Sequence, residues 1–173
     1  MRKGLTLIEL IITTAMVAIL TVVMAYIFRA ILISWSGQET RAGIDIGLDR
    51  GIDEMVQDLR KATAVSQGGS YDIRFTQDGS NYYIYYLYNS SDSYPITFSQ
   101  SSYQLMKATL SGGIGGTFTY GSGNIIISEV LPPNDPTSPS NLSYASNIVN
   151  IDLSVKRKDE VIRSKTQVRP RNL

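Results

Sequence analysis

From Leu5 to Phe28 the chain is apolar apart from Thr6, Glu9, Thr13, Thr14, Thr21 and the Tyr26 hydroxyl. At about 1.5 Å per residue such a run makes roughly 36 Å of helix, enough to cross a bilayer core of about 30 Å. Arg2 and Lys3 precede it, which favours a cytoplasmic N-terminus and puts the remainder of the chain across the membrane. An ordinary secretory signal has a shorter apolar core and a small-residue cleavage site leading into polar chain. Here Arg29 leads straight into a second apolar stretch, Ala30 to Trp35. Glu9 is the anomaly within the run. A carboxylate early in a membrane helix costs on the order of 2.5–3.5 kcal/mol on insertion scales. The residues alone leave two readings open. Either Glu9 lies near the interface, where it snorkels or takes up a proton, or it meets a positive partner inside an assembly.

The 173 residues suffice for one modest globular domain besides this segment. A formal net charge of +1 gives no global attraction to nucleic acid or to an acidic substrate. Cysteine is absent, so disulfides, thiol nucleophiles and thiolate metal sites are excluded. Histidine is absent too, which removes the commonest general base and metal ligand and any Ser-His-Asp arrangement. Enzymes built on carboxylates, lysine or tyrosine stay open. The acids Asp72, Asp152 and Glu129 are candidates for a two-carboxylate hydrolase, but no motif links them.

Beyond the apolar run, Ile44, Leu48, Ile52, Met55, Val56, Leu59 and Ala62 recur at spacings of three and four, with charged residues largely on the other faces. This predicts a helix from about Leu5 to about Val65, roughly 90 Å long if unbroken, whose stripe packs on its own sheet. A coiled-coil seam is the weaker alternative, because Gly37, Gly43, Gly47 and Gly51 lower helix propensity and allow a bend or local melting. After Gly68-Gly69 the period becomes two. Tyr71, Ile73 and Phe75 alternate with polar residues, Asp78-Gly79 signals a turn, and Tyr82 to Tyr88 completes a hairpin. Its tyrosines serve either as plain strand formers or as a stacking surface for glycans or single-stranded nucleic acid. Further strands are expected near Ile96–Gln100, Tyr103–Leu110, Thr117–Tyr120 and Asn124–Leu131, with loops at Ser111–Gly123 and Pro132–Asn141. Val149 to Val155 alternates clearly and is followed by the charged turn Lys156–Glu160 and the strand Val161–Val168. The tail from Lys156 holds seven basic and two acidic residues. This charge either solvates a hairpin edge or contacts DNA or lipid headgroups.

Gly4-Leu5-Thr6-Leu7-Ile8-Glu9-Leu10 resembles the type III signal of type IV prepilins and pseudopilins. The resemblance implies an α+β, pilin-like fold, with a long N-terminal helix, membrane-spanning in its first half, packed on a mainly antiparallel β-sheet. It implies a leader at 1–4, a transmembrane and filament-core helix at 5–36, and an extracytoplasmic domain at 37–173. A prepilin peptidase would cut between Gly4 and Leu5 and methylate the new amine of Leu5. Glu9 would then face the terminal amine of a neighbouring subunit. Glycine suits the cleavage site because it lets the backbone come close to a protease. The usual first mature residue in the family is phenylalanine; here it is Leu5. No proline occurs before Pro95, so the proline kink found in many major pilins is not expected.

Met55-Val56-Gln57-Asp58-Leu59-Arg60-Lys61-Ala62 and Val168-Arg169-Pro170-Arg171-Asn172-Leu173 resemble the corresponding segments of J-type minor pseudopilins of type II secretion and W-type minor pilins. The expectation is a structural, tip-proximal filament subunit of the inner membrane, with no catalytic residue, cofactor or metal. Its partners would be other pilin subunits, the peptidase and the assembly platform, with no small-molecule substrate. Some related pseudopilins bind calcium in a loop, but Asp135 supplies one carboxylate where such a site wants several oxygens. A filament-displayed module for adhesion or DNA uptake is the alternative function, and a membrane-tethered hydrolase a remote one.

Overall fold

The period-3.6 apolar pattern gives way after Ala62 to residues that pair with neighbouring strands, and the backbone changes there. The computed structural model describes residues 6–69, 71–157 and 160–171, with the side chains of 36–45 outside that description. The elements are α1 (Leu7–Lys61), β1 (Ala64–Gln67), β2 (Ile73–Thr76), β3 (Tyr82–Tyr88), β4 (Tyr103–Leu110), β5 (Asn124–Val130), β6 (Asn141–Ala145), β7 (Ile148–Arg157) and β8 (Glu160–Val168). The chain divides into two compact units, Met1–Ala42 and Gly43–Leu173.

In the first unit, Leu7–Trp35 is the one helical stretch among the described residues long and apolar enough to cross a membrane, with mean hydropathy 2.4. Its threonine hydroxyls bond to the helix backbone. The Thr13 hydroxyl donates to Glu9 O at 2.7 Å, that of Thr14 to Leu10 O at 2.9 Å and that of Thr21 to Val17 O at 2.8 Å. Each bond hides a hydroxyl against the backbone, which suits an apolar surround.

In the second unit an antiparallel sheet runs in the order β1-β2-β3-β4-β5-β7-β6, and β8 pairs with β7 off that path. The sheet curls, bringing β1 and β2 round against β6, where Tyr144 N donates to Gln67 Oε1 at 3.1 Å. The architecture is therefore α+β, an apolar N-terminal helix followed by a curled antiparallel sheet, and is consistent with the pilin-like layout. Leu48, Ile52, Met55, Leu59 and Ala62 are buried in the main core with Phe75, Tyr85, Leu105 and Leu153, so the stripe does face its own sheet. Val56 is only partly buried, and the Ile44 side chain lies outside the described residues. The helix runs unbroken through Gly51. A Cβ there would come within 2.3 Å of Ile127 Cγ1, so glycine lets α1 sit close to β5.

The helix ends at Lys61, before the expected Val65. Thr63 N donates to Thr76 O, and Val65 pairs with Phe75 in β1–β2, which draws the chain into the sheet. Tyr71 adopts φ 63° and precedes the strand that was expected to include it. The Asp78-Gly79 turn is present: Asp78 Oδ1 accepts from Ser80 N and Asn81 N, and these bonds hold its carboxyl at a pKa of about 2.

Two expected strands are absent. Ile96–Gln100 is loop, because its polar groups have side-chain partners. Thr97 and Ser99 hydroxyls donate to Asp92 Oδ1, and Asn134 Nδ2 donates to Phe98 O. Thr117–Tyr120 makes a single bridge, Ser111 to Thr117, while Phe118 and Tyr120 pack on a second core of Ile84, Tyr86, Met106, Ala108 and Leu110. The glycine-rich segment is thus a cover over the sheet face opposite the helix. Asn141, expected to close a loop, opens β6.

Candidate assembly helix and the residues that hold the domain

Thr6 precedes the first residue of α1, and Glu9 lies three residues on. Glu9 N donates to Thr6 Oγ1 at 3.4 Å, while Thr6 N donates to Glu9 Oε2 at 3.2 Å and the Thr6 hydroxyl to the same oxygen at 3.1 Å. This is a capping box, in which residue and cap satisfy each other's orphan groups. Thr6-Leu7-Ile8-Glu9 carries its signature, a threonine followed three residues later by glutamate. The apolar run marks Glu9 as a membrane carboxylate or an assembly partner, and the threonine three residues before it adds the cap. The carboxylate therefore has partners inside its own chain. It also lies at the positive end of the helix dipole, where a negative charge is favourable. Gly4 and Leu5, the expected cleavage and methylation positions, lie outside the described residues.

From Leu7 to Trp35 the side chains are exposed, including Leu7, Ile8, Met16, Met24 and Phe28. An apolar surface of this extent calls for lipid or other apolar helices around it.

The two segments carrying the finer resemblance meet in the second unit. Arg171 N donates to Arg60 O at 3.3 Å, and Val168 and Pro170 are buried. The tail thus supplies one of the donors that the last turn of α1 lacks. Two residues earlier, Asp58 ties α1 to the sheet. It accepts from the Tyr85 hydroxyl at 2.7 Å, from Gln77 Nε2 at 3.0 Å and from Lys107 Nζ at 2.5 Å. Burial pushes the Asp58 carboxyl up, but its bonds to Lys107, Tyr85 and Gln77 together outweigh burial and hold it below the ordinary carboxylate value. Glu54 stands 3.6 Å from the same ammonium.

The candidate acids are engaged separately. Asp72 is buried, accepts from Gly68 N, Gly69 N and the Tyr94 hydroxyl, and pairs with Arg74 at 3.3 Å. Arg74 in turn donates to Gly116 O at 3.0 Å, fastening the glycine-rich cover. Asp152 receives two bonds of 2.7 Å from Arg163 and stands 3.1 Å from Lys165 Nζ, and these cations hold its carboxyl low. Glu129 has Arg157 at 3.9 Å. Asp135 caps its own loop by accepting from Thr137 N and Ser138 N. Among the described residues no group of three metal-capable side chains comes together.

Of the tyrosines weighed as strand formers or as a stacking surface, Tyr85 and Tyr86 are fully buried and Tyr82, Tyr83 and Tyr88 half-buried within the two cores. Part of the basic tail is spoken for by Asp152 and Glu129. Comparison with protein-family models, with curated proteins and with solved structures gives no match.

Proposed function

We propose that the chain is a minor pilin or pseudopilin, a tip-proximal structural subunit of a type II secretion pseudopilus or type IV pilus. The observation that carries this reading is a 29-residue apolar helical stretch exposed along its whole length and capped at its start by Glu9. Lipid alone would suit the apolar side chains, but leaves the Glu9 carboxylate with its capping role and no opposite charge. A filament offers the same side chains apolar neighbours and offers Glu9 an amine. Prepilin peptidase would free that amine at Leu5 by cutting after Gly4 and would methylate it.

The capping box adds a condition to the mechanism. In the free subunit Glu9 already accepts from Thr6, so a neighbour's amine has to replace or join those bonds. An ammonium brings a full opposite charge to the carboxylate, which the neutral Thr6 donors do not, so the exchange is favourable once water is excluded. The aspartate-leucine-arginine segment and the arginine-rich tail support the minor, tip-proximal branch through their resemblance, and in this chain they touch.

Co-expression with a prepilin peptidase tests the reading. Removal of Met1 to Gly4 takes Arg2 and Lys3 with it and lowers the formal charge from +1 to −1. Intact-mass measurement of the purified chain should show this loss together with one added methyl group. A chain that stays uncut, or is cut near residue 25, rejects the proposal.

A further inference from the structure

β5 does not run evenly beside β4. Tyr103 pairs with Val130 and Leu105 with Ile127, so Ser128 and Glu129 together stand opposite Gln104 alone. This is a β-bulge, a feature that re-aims side chains and is frequent beside binding sites. Glu129 occupies it with φ 59°, in the left-handed region. Glycine, asparagine and aspartate enter that region at least cost, and glutamate is not among them. A strained residue of this kind is a reason to ask what its side chain does.

Glu129 lines a groove of about 410 Å³ with Tyr88, Asn89, Ser102, Gln104 and Ser128. One wall is rigid. Tyr88 stands edge-on to Tyr120 with ring centres 4.9 Å apart, and Asn89 is fixed by Nδ2 donating to Ser102 O at 2.8 Å and Oδ1 accepting from Ser91 N at 2.9 Å. The opposite wall has polar groups to spare. Among the described residues the Gln104 amide and the Ser128 hydroxyl make no side-chain hydrogen bond, and the ion pair of Glu129 with Arg157, at 3.9 Å, is too long to be a hydrogen bond and leaves the carboxylate oxygens able to accept.

The ligand chemistry follows from this lining. The carboxylate disfavours an anion, the polar walls disfavour an apolar molecule, and one carboxylate is too few for a metal. A carboxylate acceptor, an amide with both donors and acceptor, a hydroxyl and a fixed aromatic ring match neighbouring hydroxyls beside a C–H face. We propose that the groove at the Glu129 bulge binds a neutral saccharide. The site belongs to the second unit and does not depend on the chain entering a filament.

The test uses the full-length, nitrogen-15-labelled chain in a sugar-free detergent. The probes are glucose, galactose, mannose, lactose, maltose and N,N′-diacetylchitobiose, with 3′-sialyllactose as the charged counterpart. At least one neutral probe should shift the amide signals of Gln104, Ser128 and Glu129 saturably at millimolar concentration. Glu129→Gln should weaken that binding about tenfold, as loss of a charge-assisted bond does. Glu129→Gly removes the carboxylate and relieves the left-handed strain, so it should abolish binding while melting no lower than the parent. That pairing separates a lost ligand from a lost fold. Shifts scattered over the surface, equal binding by Glu129→Gly, a stronger response to sialyllactose, or no response to any neutral probe each overturns the assignment.

Discussion

Asp58 accepts hydrogen bonds from three places on the sheet, Gln77 after β2, Tyr85 on β3 and Lys107 on β4. Asp58→Asn keeps the shape but loses the charge that holds the Lys107 ammonium and the buried Tyr85 hydroxyl. Glu54 can take over part of Lys107, so the loss is that of a partly buried charge-assisted bond, about 1–3 kcal/mol. Thermal unfolding of the chain in detergent, followed by near-ultraviolet circular dichroism, should show the lower melting point. The same residue governs acid stability. A carboxyl whose folded pKa lies below its unfolded one adds stability above the unfolded pKa, and that stability is lost as pH falls through the folded one. Asp58 is held low against burial by Lys107, Tyr85 and Gln77, Asp92 chiefly by the Tyr103 hydroxyl, and Asp152 chiefly by Arg163. The parent should therefore melt progressively lower as pH drops below about 4, the ordinary carboxylate range. Asp58→Asn should show a shallower decline, and an unchanged slope would show that Asp58 does not anchor the sheet.

At the scale of elements, what the sequence made legible was what periodicity encodes. The stripe from Leu48 to Leu59 could be read because each buried position recurs at helical spacing, and β7 because Val149 to Val155 alternates strictly. β2 and β3 are buried on both faces, against the helix and under the glycine-rich cover, so alternation at Asp72, Arg74 and Thr76 did not mean exposure. The cover itself was illegible. Four glycines between Gly112 and Gly116 signal a loop, and nothing local says that Phe118 and Tyr120 reach back to Tyr86. The capping box, in contrast, is legible in the sequence, where Thr6 and Glu9 stand three residues apart. Arg74 is the clasp of the cover, since it joins buried Asp72 to Gly116 O. Arg74→Met should cost about 1–3 kcal/mol through Asp72, which keeps its bonds from Gly68, Gly69 and Tyr94. Amide hydrogen exchange should accelerate around Ser111 and Thr117, whose backbones bond each other, while Leu105 and Leu153 on the helix side stay protected. Equal acceleration in both places would mean that the two cores unfold as one.

At the scale of the whole molecule the proposal turns on whether Glu9 acts inside its own chain or between chains. As a cap, Glu9 contributes on the order of 1 kcal/mol to the first turn of a helix that a bilayer would already hold together. As a partner for a neighbour's amine it would do more. An unpaired carboxylate and an unpaired ammonium are each unfavourable among apolar helices, and one contact between subunits relieves both. The contact also sets register, since apolar faces in lipid slide past each other with little preference, while an amine meets the carboxylate at one axial step. Glu9→Leu removes both roles, so a second variant is needed to separate them. Thr6→Ala deletes the hydroxyl that bonds Glu9 and leaves the carboxylate in place, so it weakens the cap alone. If Glu9 works between chains, Glu9→Leu should insert, be cleaved and fold, yet join filaments poorly, and Thr6→Ala should join them as well as the parent or better. Glu9→Asp should fall between, because its charge remains but its reach shortens. Sheared-filament content measured beside the membrane level of each variant gives the comparison. Equal incorporation of Glu9→Leu and parent would leave Glu9 as a cap only, and equal loss in Thr6→Ala and Glu9→Leu would place the effect in the first turn of the helix and not in the contact between subunits.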